Sequence, residues 1–319
     1  MFALKETKTK AILDLQRAET PLPPAAFLTI RRIACGRKED ELCISRGFPR
    51  LFPQSPMTRC VFVPTIPSIS LRGMEQIFPS PVDNVNPMDA YASDMRPTVA
   101  DRPWVMCNMI SSVDGAVAID GVSGGLGGPG DKVVFKAIRA VPDLIVVASG
   151  TAIAENYRKP QTSPETQLVR IERGQLPFPR LAIVTRSLRI EPTHRVFDPT
   201  ARPMIITTAD ADPVARNALE PVADIVVAGE REVDLNTMLT TVRSNGVKTV
   251  LLEGGPTLNG AFVDADLVDE LCLSFAPMML GGTSPRIVAA STNTVPRGFR
   301  LDRILHDEGY LFHRYLRTR

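Results

Sequence analysis

From Trp104 onward, short apolar runs alternate with stretches whose apolar residues recur every three or four positions. The runs are Trp104–Ile110, Leu144–Ala148, Leu181–Thr185, Met204–Thr208, Ile225–Ala228, Thr249–Leu252 and Leu271–Ala276. Continuous apolar runs of this length are the pattern of strands covered on both faces. Between them, Asp131–Arg139 has helical spacing, with Val134, Ile138 and Val141 on one side. Pro213–Leu219 and Leu235–Val242 are the clearest other helices. Asp234 is a natural N-cap for the second and Asn245-Gly246 a natural stop. Tyr310–Tyr315 alternates and predicts a last antiparallel strand. Strands alternating with helices predict an α/β fold with a mainly parallel central sheet and helices on both faces.

Residues 1 to about 100 lack this texture. Prolines are dense there and block both helices and ladders. Residues 1–60 hold 11 Lys+Arg against 6 Asp+Glu, net +5, whereas the remainder holds 26 against 29, net −3. The expected organisation is a flexible or artefactual Pro-rich basic extension over 1–73, with Met57 and Met74 as alternative starts. A lead-in over 74–99 and the folded body over 100–319 follow.

Bulk composition adds exclusions. Hydrophobic residues are 44% and charged residues 23%, and the formal net charge is +2. That balance implies neither a nucleic-acid nor an anionic-membrane partner. The five cysteines form no CxxC pair and do not cluster with the three histidines, so neither a disulfide framework nor a metal site is expected. The uncharged stretch Leu271–Pro285 is too short to span a bilayer, and no secretory signal is visible. A cytoplasmic protein is expected.

The strongest chemical signal is Thr249–Leu258. A buried strand ends at Glu253, Gly254 and Gly255 make a tight turn, and a helix begins near Pro256. Such a junction aims free amides and a positive helix end at one spot, which suits a diphosphate. Glycine lets a phosphate approach the backbone. Without a ligand it is an ordinary strand–helix turn. Glu253 sits where α/β sheets place ligands.

The glycine-rich loop over residues 121–130 contains formal GxGxxG and GxSxG matches, the second centred on Ser123. Neither has the strand–helix context its chemistry needs. Read plainly, the loop is a flexible surface turn. Asp114 reads as a turn former, Asp131 as a helix N-cap, and Arg139 as a cation near a helix C-terminus. Ser149-Gly150-Thr151 and Thr185-Arg186-Ser187 place hydroxyls and a cation at two further strand ends.

In this order the segments resemble the reductase domain of the riboflavin-pathway deaminase–reductases, a relative of the dihydrofolate reductase fold. The resemblance covers roughly residues 100–319. It implies an NADPH-dependent oxidoreductase that transfers a hydride to C1′ of the ribose of 5-amino-6-(5-phosphoribosylamino)uracil, and it implies a homodimer. Cofactor contacts carried over fall on Ile110, Gly125, Gly127, Thr151, Glu155, Ser187 and the turn Gly254, Gly255, Pro256, Thr257 and Leu258. Thr185 and Arg186 flank that set, Arg186 as a candidate for the 2′-phosphate. Substrate contacts fall on Ser123, Arg139 and Glu253. Arg139 suits a 5′-phosphate, which needs a fixed cation. Asp131 is added as a group under the substrate ring, where a partly desolvated carboxylate can relay a proton.

Three departures qualify the resemblance. The paired H-x-E and P-C-x-x-C signature of a zinc deaminase is not present, so neither deaminase activity nor zinc is expected. Gly125 stands where the family often has an aromatic, and Glu155-Asn156-Tyr157 replaces an acidic pair followed by proline. Two alternatives stay open: a reductase of the same fold acting on a pteridine such as dihydrofolate, and a nucleotide-binding relative without turnover.

Overall fold

The computed structural model describes residues 73–319 except 98, 100 and 290–294. Eleven strands form one sheet among these residues: β1 Met74–Phe78, β2 Val82–Val85, β3 Trp104–Ser112, β4 Leu144–Ala148, β5 Arg180–Val184, β6 Met204–Thr207, β7 Asp224–Val227, β8 Thr249–Leu252, β9 Glu270–Ala276, β10 Phe299–Asp307 and β11 Tyr310–Arg317. The helices are α1 Pro87–Ser93, α2 Pro129–Arg139, α3 Ser149–Ala154, α4 Pro164–Glu172, α5 Pro213–Leu219, α6 Leu235–Ser244 and α7 Pro256–Asp264.

The order across the sheet is β2-β1-β10-β11-β9-β3-β8-β4-β5-β6-β7. From β9 to β7 every pairing is parallel, and from β2 to β9 every pairing is antiparallel. β11 is the antiparallel strand that the alternation predicts. The mainly parallel half carries helices on both faces. Val134, Ala137 and Ile138 of α2 pack on one face, with Met106, Ile145, Val147, Ile183 and Leu251. Met238, Leu239 and Val242 of α6 and Leu258 and Phe262 of α7 pack on the other, with Val105, Cys107, Val146 and Leu252.

The local signals for α5 and α6 hold. α5 has the expected bounds, and the Asp234 carboxylate accepts from the amides of Asn236 and Thr237 at the start of α6. Asn245 closes α6, and Gly246 follows at φ +88°. One reading needs correction. α2 begins at Pro129 with Gly128 as its N-cap, so Asp131 lies inside the first turn and is not the cap.

The lead-in segment is also corrected. Its first residues form β1, β2 and α1, and Met74 and Tyr91 enter the core. Buried ion pairs tie it to the sheet. Glu270 is fully buried and accepts from Arg96 at 2.9 Å twice, from Arg314 Nε at 2.8 Å and from Trp104 Nε1 at 3.1 Å. Burial pushes the Glu270 carboxyl up, but Arg96 and Arg314 outweigh it and hold it down at about 2. Asp94 takes a two-bond pair from Arg303, both at 2.8 Å. The extension over residues 1–72 lies outside the described residues.

Candidate active site

β3 leads by way of α2 to one face of the sheet, and β8 leads by way of α7 to the other. β3 and β8 are neighbours, so their carboxyl ends open a crevice of the kind in which doubly wound sheets bind ligands. The β8 side of the crevice is Glu253 and the Gly254–Gly255 turn. Gly254 has φ +90°, a conformation that favours glycine, and the peptide to Gly255 is cis. The Gly254 carbonyl accepts from Ala148 N at 2.8 Å, which locks the turn to the end of β4. A Cβ on Gly255 would stand 2.6 Å from the Thr151 hydroxyl oxygen. Thr151 and the glycine turn are therefore in contact. Pro256 opens α7, Thr257 is exposed, and Leu258 anchors the helix in the core. The first-turn amides of a helix have no intrahelical acceptor. A turn without Cβ atoms, a hydroxyl and a helix N-terminus meeting at one place fit a dinucleotide diphosphate.

Beside this turn, Arg139 and Glu253 form an ion pair with two hydrogen bonds. Nε donates to Oε1 at 2.7 Å and Nη2 to Oε2 at 2.6 Å. The Tyr157 hydroxyl donates to the same Oε2 at 2.7 Å. The Glu253 side chain is 3% exposed and that of Arg139 20%. Burial opposes the Arg139 charge, but Glu253 outweighs it and keeps the guanidinium protonated. The guanidinium also lies 4.2 Å from the Phe135 ring centroid and 5.3 Å from that of Tyr157. Arg139 is thus not the solvated cation that its helix position suggests. It is the partner of Glu253, another of the expected substrate residues.

Asp131 lies against Gly127, where a Cβ would meet its Oδ2 at 2.8 Å, and it is hydrogen-bonded to Ser274 of β9. Burial raises its pKa above the ordinary carboxylate value, against the Ser274 hydrogen bond and the Lys132 charge. The second half of the glycine-rich loop is packed, with Leu126, Gly128 and Gly130 buried, whereas Gly121, Gly124 and Gly125 are exposed as a surface turn would be. Leu126 is fully buried, and its carbonyl accepts from the Tyr310 hydroxyl at 3.1 Å. A Cβ on Gly128 would meet the Tyr310 ring at 2.8 Å, and one on Gly130 would meet the Asp307 carboxylate at 2.3 Å. Those two glycines answer to side chains of the β10–β11 hairpin.

The other expected residues form separate groups. The Ser123 amide donates to Glu155 Oε1 at 2.6 Å, so these two hold the loop to the end of α3. Gly125 lies beside Ile119. Ile110 pairs with Ser274 in the β3–β9 register. Thr185 is buried and its hydroxyl accepts from Leu188 N at 3.1 Å. Arg186 and Ser187 line a cavity of about 580 Å³ at the ends of β5 and β6, with Arg189, Asp210 and Asp212. Asp114 is a turn residue as expected. It accepts from the Ser112 hydroxyl at 2.5 Å and from Gly281 N at 2.7 Å, and those hydrogen bonds lower its pKa to about 2.

Comparison with known proteins places this geometry. The family model described as the RibD C-terminal domain matches residues 103–308. The chain belongs to the RibD C-terminal domain family. Two relatives are named 2,5-diamino-6-ribosylamino-4(3H)-pyrimidinone 5′-phosphate reductase. That of Methanothermobacter thermautotrophicus is 32% identical over 58% of this chain and 82% of its own length. That of Archaeoglobus fulgidus is 29% identical over 57% and 83%. Among solved structures, a pyrimidine reductase-like protein of Corynebacterium diphtheriae superposes with a TM-score of 0.67 at 23% identity, covering 74% of this chain and all of that one. The Saccharomyces cerevisiae riboflavin biosynthesis reductase reaches 0.53 at 15% identity, over 70% of this chain and 93% of its own. The RibD C-terminal fold is therefore the fold of this chain, and its sheet and helices are those of the observed α/β body.

Within this RibD C-terminal domain, reasoning from sequence singled out neither Ser274, Tyr310 nor Tyr157 as a site residue. Tyr157 was visible as the residue standing where the family has proline. Ser274 and Tyr310 lie on strands whose alternation marks faces but not partners.

Proposed function

We propose that the chain is an NADPH-dependent reductase acting on a phosphoribosylamino pyrimidine, 5-amino-6-(5-phosphoribosylamino)uracil or its 2-amino counterpart. The observation that carries this reading is the crevice in which the Thr151–Gly255 contact adjoins the Arg139–Glu253–Tyr157 group. The first part suits a dinucleotide and the second a polyhydroxy substrate. The names of the two relatives support the same reaction class.

Bound at the Gly254–Gly255 turn, the dinucleotide supplies the hydride. The chain's residues supply position and a proton. Reduction at C1′ breaks the C1′–O4′ bond, and O4′ must take a proton as the sugar opens to a ribityl chain. Asp131, held toward its acid form by burial, is the proton donor in this reading. Glu253 holds sugar hydroxyls in this reading, and Ser123 is a further substrate contact. Arg186, exposed in the cavity beside Ser187, meets the 2′-phosphate that distinguishes NADPH from NADH. The remaining cofactor contacts, Ile110, Gly125, Gly127, Glu155 and Thr185, stay part of this proposal, as do a homodimer and a cytoplasmic location. Among the described residues no helix is long and apolar enough to cross a membrane.

A pteridine reductase is the second reading. In its favour, one edge of Arg139 is already occupied by Glu253, which leaves less of that cation for a 5′-phosphate. The test is NADPH oxidation followed at 340 nm with both phosphoribosylamino pyrimidines, their dephosphorylated forms and dihydrofolate. Turnover of a phosphorylated pyrimidine that collapses on dephosphorylation supports the first reading. Turnover of dihydrofolate alone replaces it with the second.

A further inference from the structure

A carboxylate offers about four acceptor positions, two on each oxygen. On Glu253 they are unequally used. Among the described residues, Oε2 accepts from Arg139 Nη2 and from the Tyr157 hydroxyl, whereas Oε1 accepts from Arg139 Nε alone. We propose that Tyr157 is a positioning residue that saturates Oε2 and so leaves Oε1 of Glu253 as the single acceptor for a sugar hydroxyl of the substrate. This rests on the proposed reaction with a ribosylamino pyrimidine.

The chain delivers Tyr157 to this place by a defined stop. α3 ends at Ala154, and Asn156 follows at φ +50°, a left-handed conformation that asparagine tolerates better than most residues. Asn156 N then donates to Ile153 O at 3.1 Å and Tyr157 N to Ala152 O at 2.8 Å. This pair of bonds is the Schellman arrangement, and it fixes the direction of the residue after the turn. Tyr157 is turned back against α2, with its ring near the Arg139 guanidinium and its hydroxyl on Glu253. Its phenol stays protonated, because burial first and the Glu253 charge second push its pKa well above the ordinary value. The hydroxyl is therefore a permanent donor to Oε2. With both bonds of Oε2 supplied by the protein, an incoming hydroxyl has one place to bind, and its carbon skeleton has one orientation.

Tyr157→Phe keeps the ring and removes only the donor. The measurements are kcat/KM for the best pyrimidine substrate, Kd for NADPH by fluorescence, the thermal midpoint, and inhibition by 5,6-diaminouracil, which has the ring without the sugar. The expected result is a loss of about tenfold in kcat/KM, the scale of one hydrogen bond to a charged group. Cofactor Kd and diaminouracil inhibition stay at wild-type values, while the thermal midpoint falls modestly because a buried carboxylate loses one donor. Wild-type kcat/KM in the variant overturns the proposal. So does a loss matched by weaker diaminouracil or NADPH binding, since either marks general support of the site. A wild-type protein that turns over no ribosylamino pyrimidine removes the functional reading itself and this inference with it, a result distinct from an active wild type with an unaffected variant.

Discussion

Arg139 and Glu253, 114 positions apart in the chain, meet edge to edge through two hydrogen bonds at the mouth of the Gly254–Gly255 turn. A carboxylate with 3% side-chain exposure depends on that partner. Arg139→Met removes the charge and leaves Glu253 buried beside a tyrosine hydroxyl alone. Breaking a fully buried pair costs about 3–5 kcal/mol. The partial exposure of Arg139 admits some water, so about 2–3 kcal/mol is expected here. Urea unfolding measures it. A variant within about 0.5 kcal/mol of wild type, the range of ordinary surface changes, would show that the pair carries no such burden.

Asp131 should weaken the fold at neutral pH while serving the reaction. Its pKa in the folded chain is raised by burial above the ordinary value that it has when unfolded. Its favourable contribution is complete below the unfolded value, where it is protonated in both states, and is lost as pH rises through the folded value. Asp131→Asn should therefore raise the thermal midpoint at pH 7, and this advantage should vanish on acidification below the ordinary carboxylate range. Turnover should fall by about tenfold or more, as removal of a positioned proton donor does. A midpoint that drops at pH 7, or a stabilisation independent of pH, would refute the assignment.

The parallel half of the sheet was readable because its inner strands are buried on both faces and α6 has a side-chain cap at its start and an asparagine stop at its end. Leu144–Ala148 and Thr249–Leu252 are short apolar runs, and Asp234 and Asn245 bracket α6. β1, β2 and β10 escaped notice because they mix charged and apolar residues near one edge, and only their partners define them. In the site, Glu253 and the glycine turn were legible from a local strand–turn–helix pattern. The Arg139–Glu253 pair was not, since no spacing rule links a residue at the end of α2 with one after β8. The same holds for Gly128, whose reason lies in the ring of Tyr310, 182 residues further on in the numbering.

The described residues between Gly73 and Trp104 are structural, and a truncation series tests where the boundary lies. Removing residues 1–72 deletes none of the strands and helices described above. Removing residues 1–99 takes away β1, α1, Asp94 and Arg96, and with them one of the two arginines on Glu270 and the partner of Arg303. Depriving a buried ionic network of one member costs about 3–5 kcal/mol, and loss of Met74 and Tyr91 from the core adds to it. The shorter product should lose its cooperative thermal transition while the longer keeps it. A folded 100–319 fragment with an unchanged midpoint would show that the buried pairs are dispensable.

The glycine-rich loop offers an internal control. A Cβ at Gly128 would lie 2.8–2.9 Å from three atoms of the Tyr310 side chain, whose hydroxyl is tied to the Leu126 carbonyl. A Cβ at Gly124 would meet nothing within 4 Å, and Gly124 has no left-handed backbone to forbid it. Gly128→Ala must displace a ring held at both ends, and overpacking of this kind costs about 1–3 kcal/mol. It should also disturb Asp131, three residues on in the first turn of α2, and so lower turnover. Gly124→Ala should be neutral or slightly stabilising, because alanine narrows the unfolded ensemble without a clash. Equal effects of the two substitutions on stability and turnover would mean that the loop is not held by Tyr310. A stable, inactive Gly124→Ala with a wild-type-like Gly128→Ala would instead place the ligand contact at the outer part of the loop.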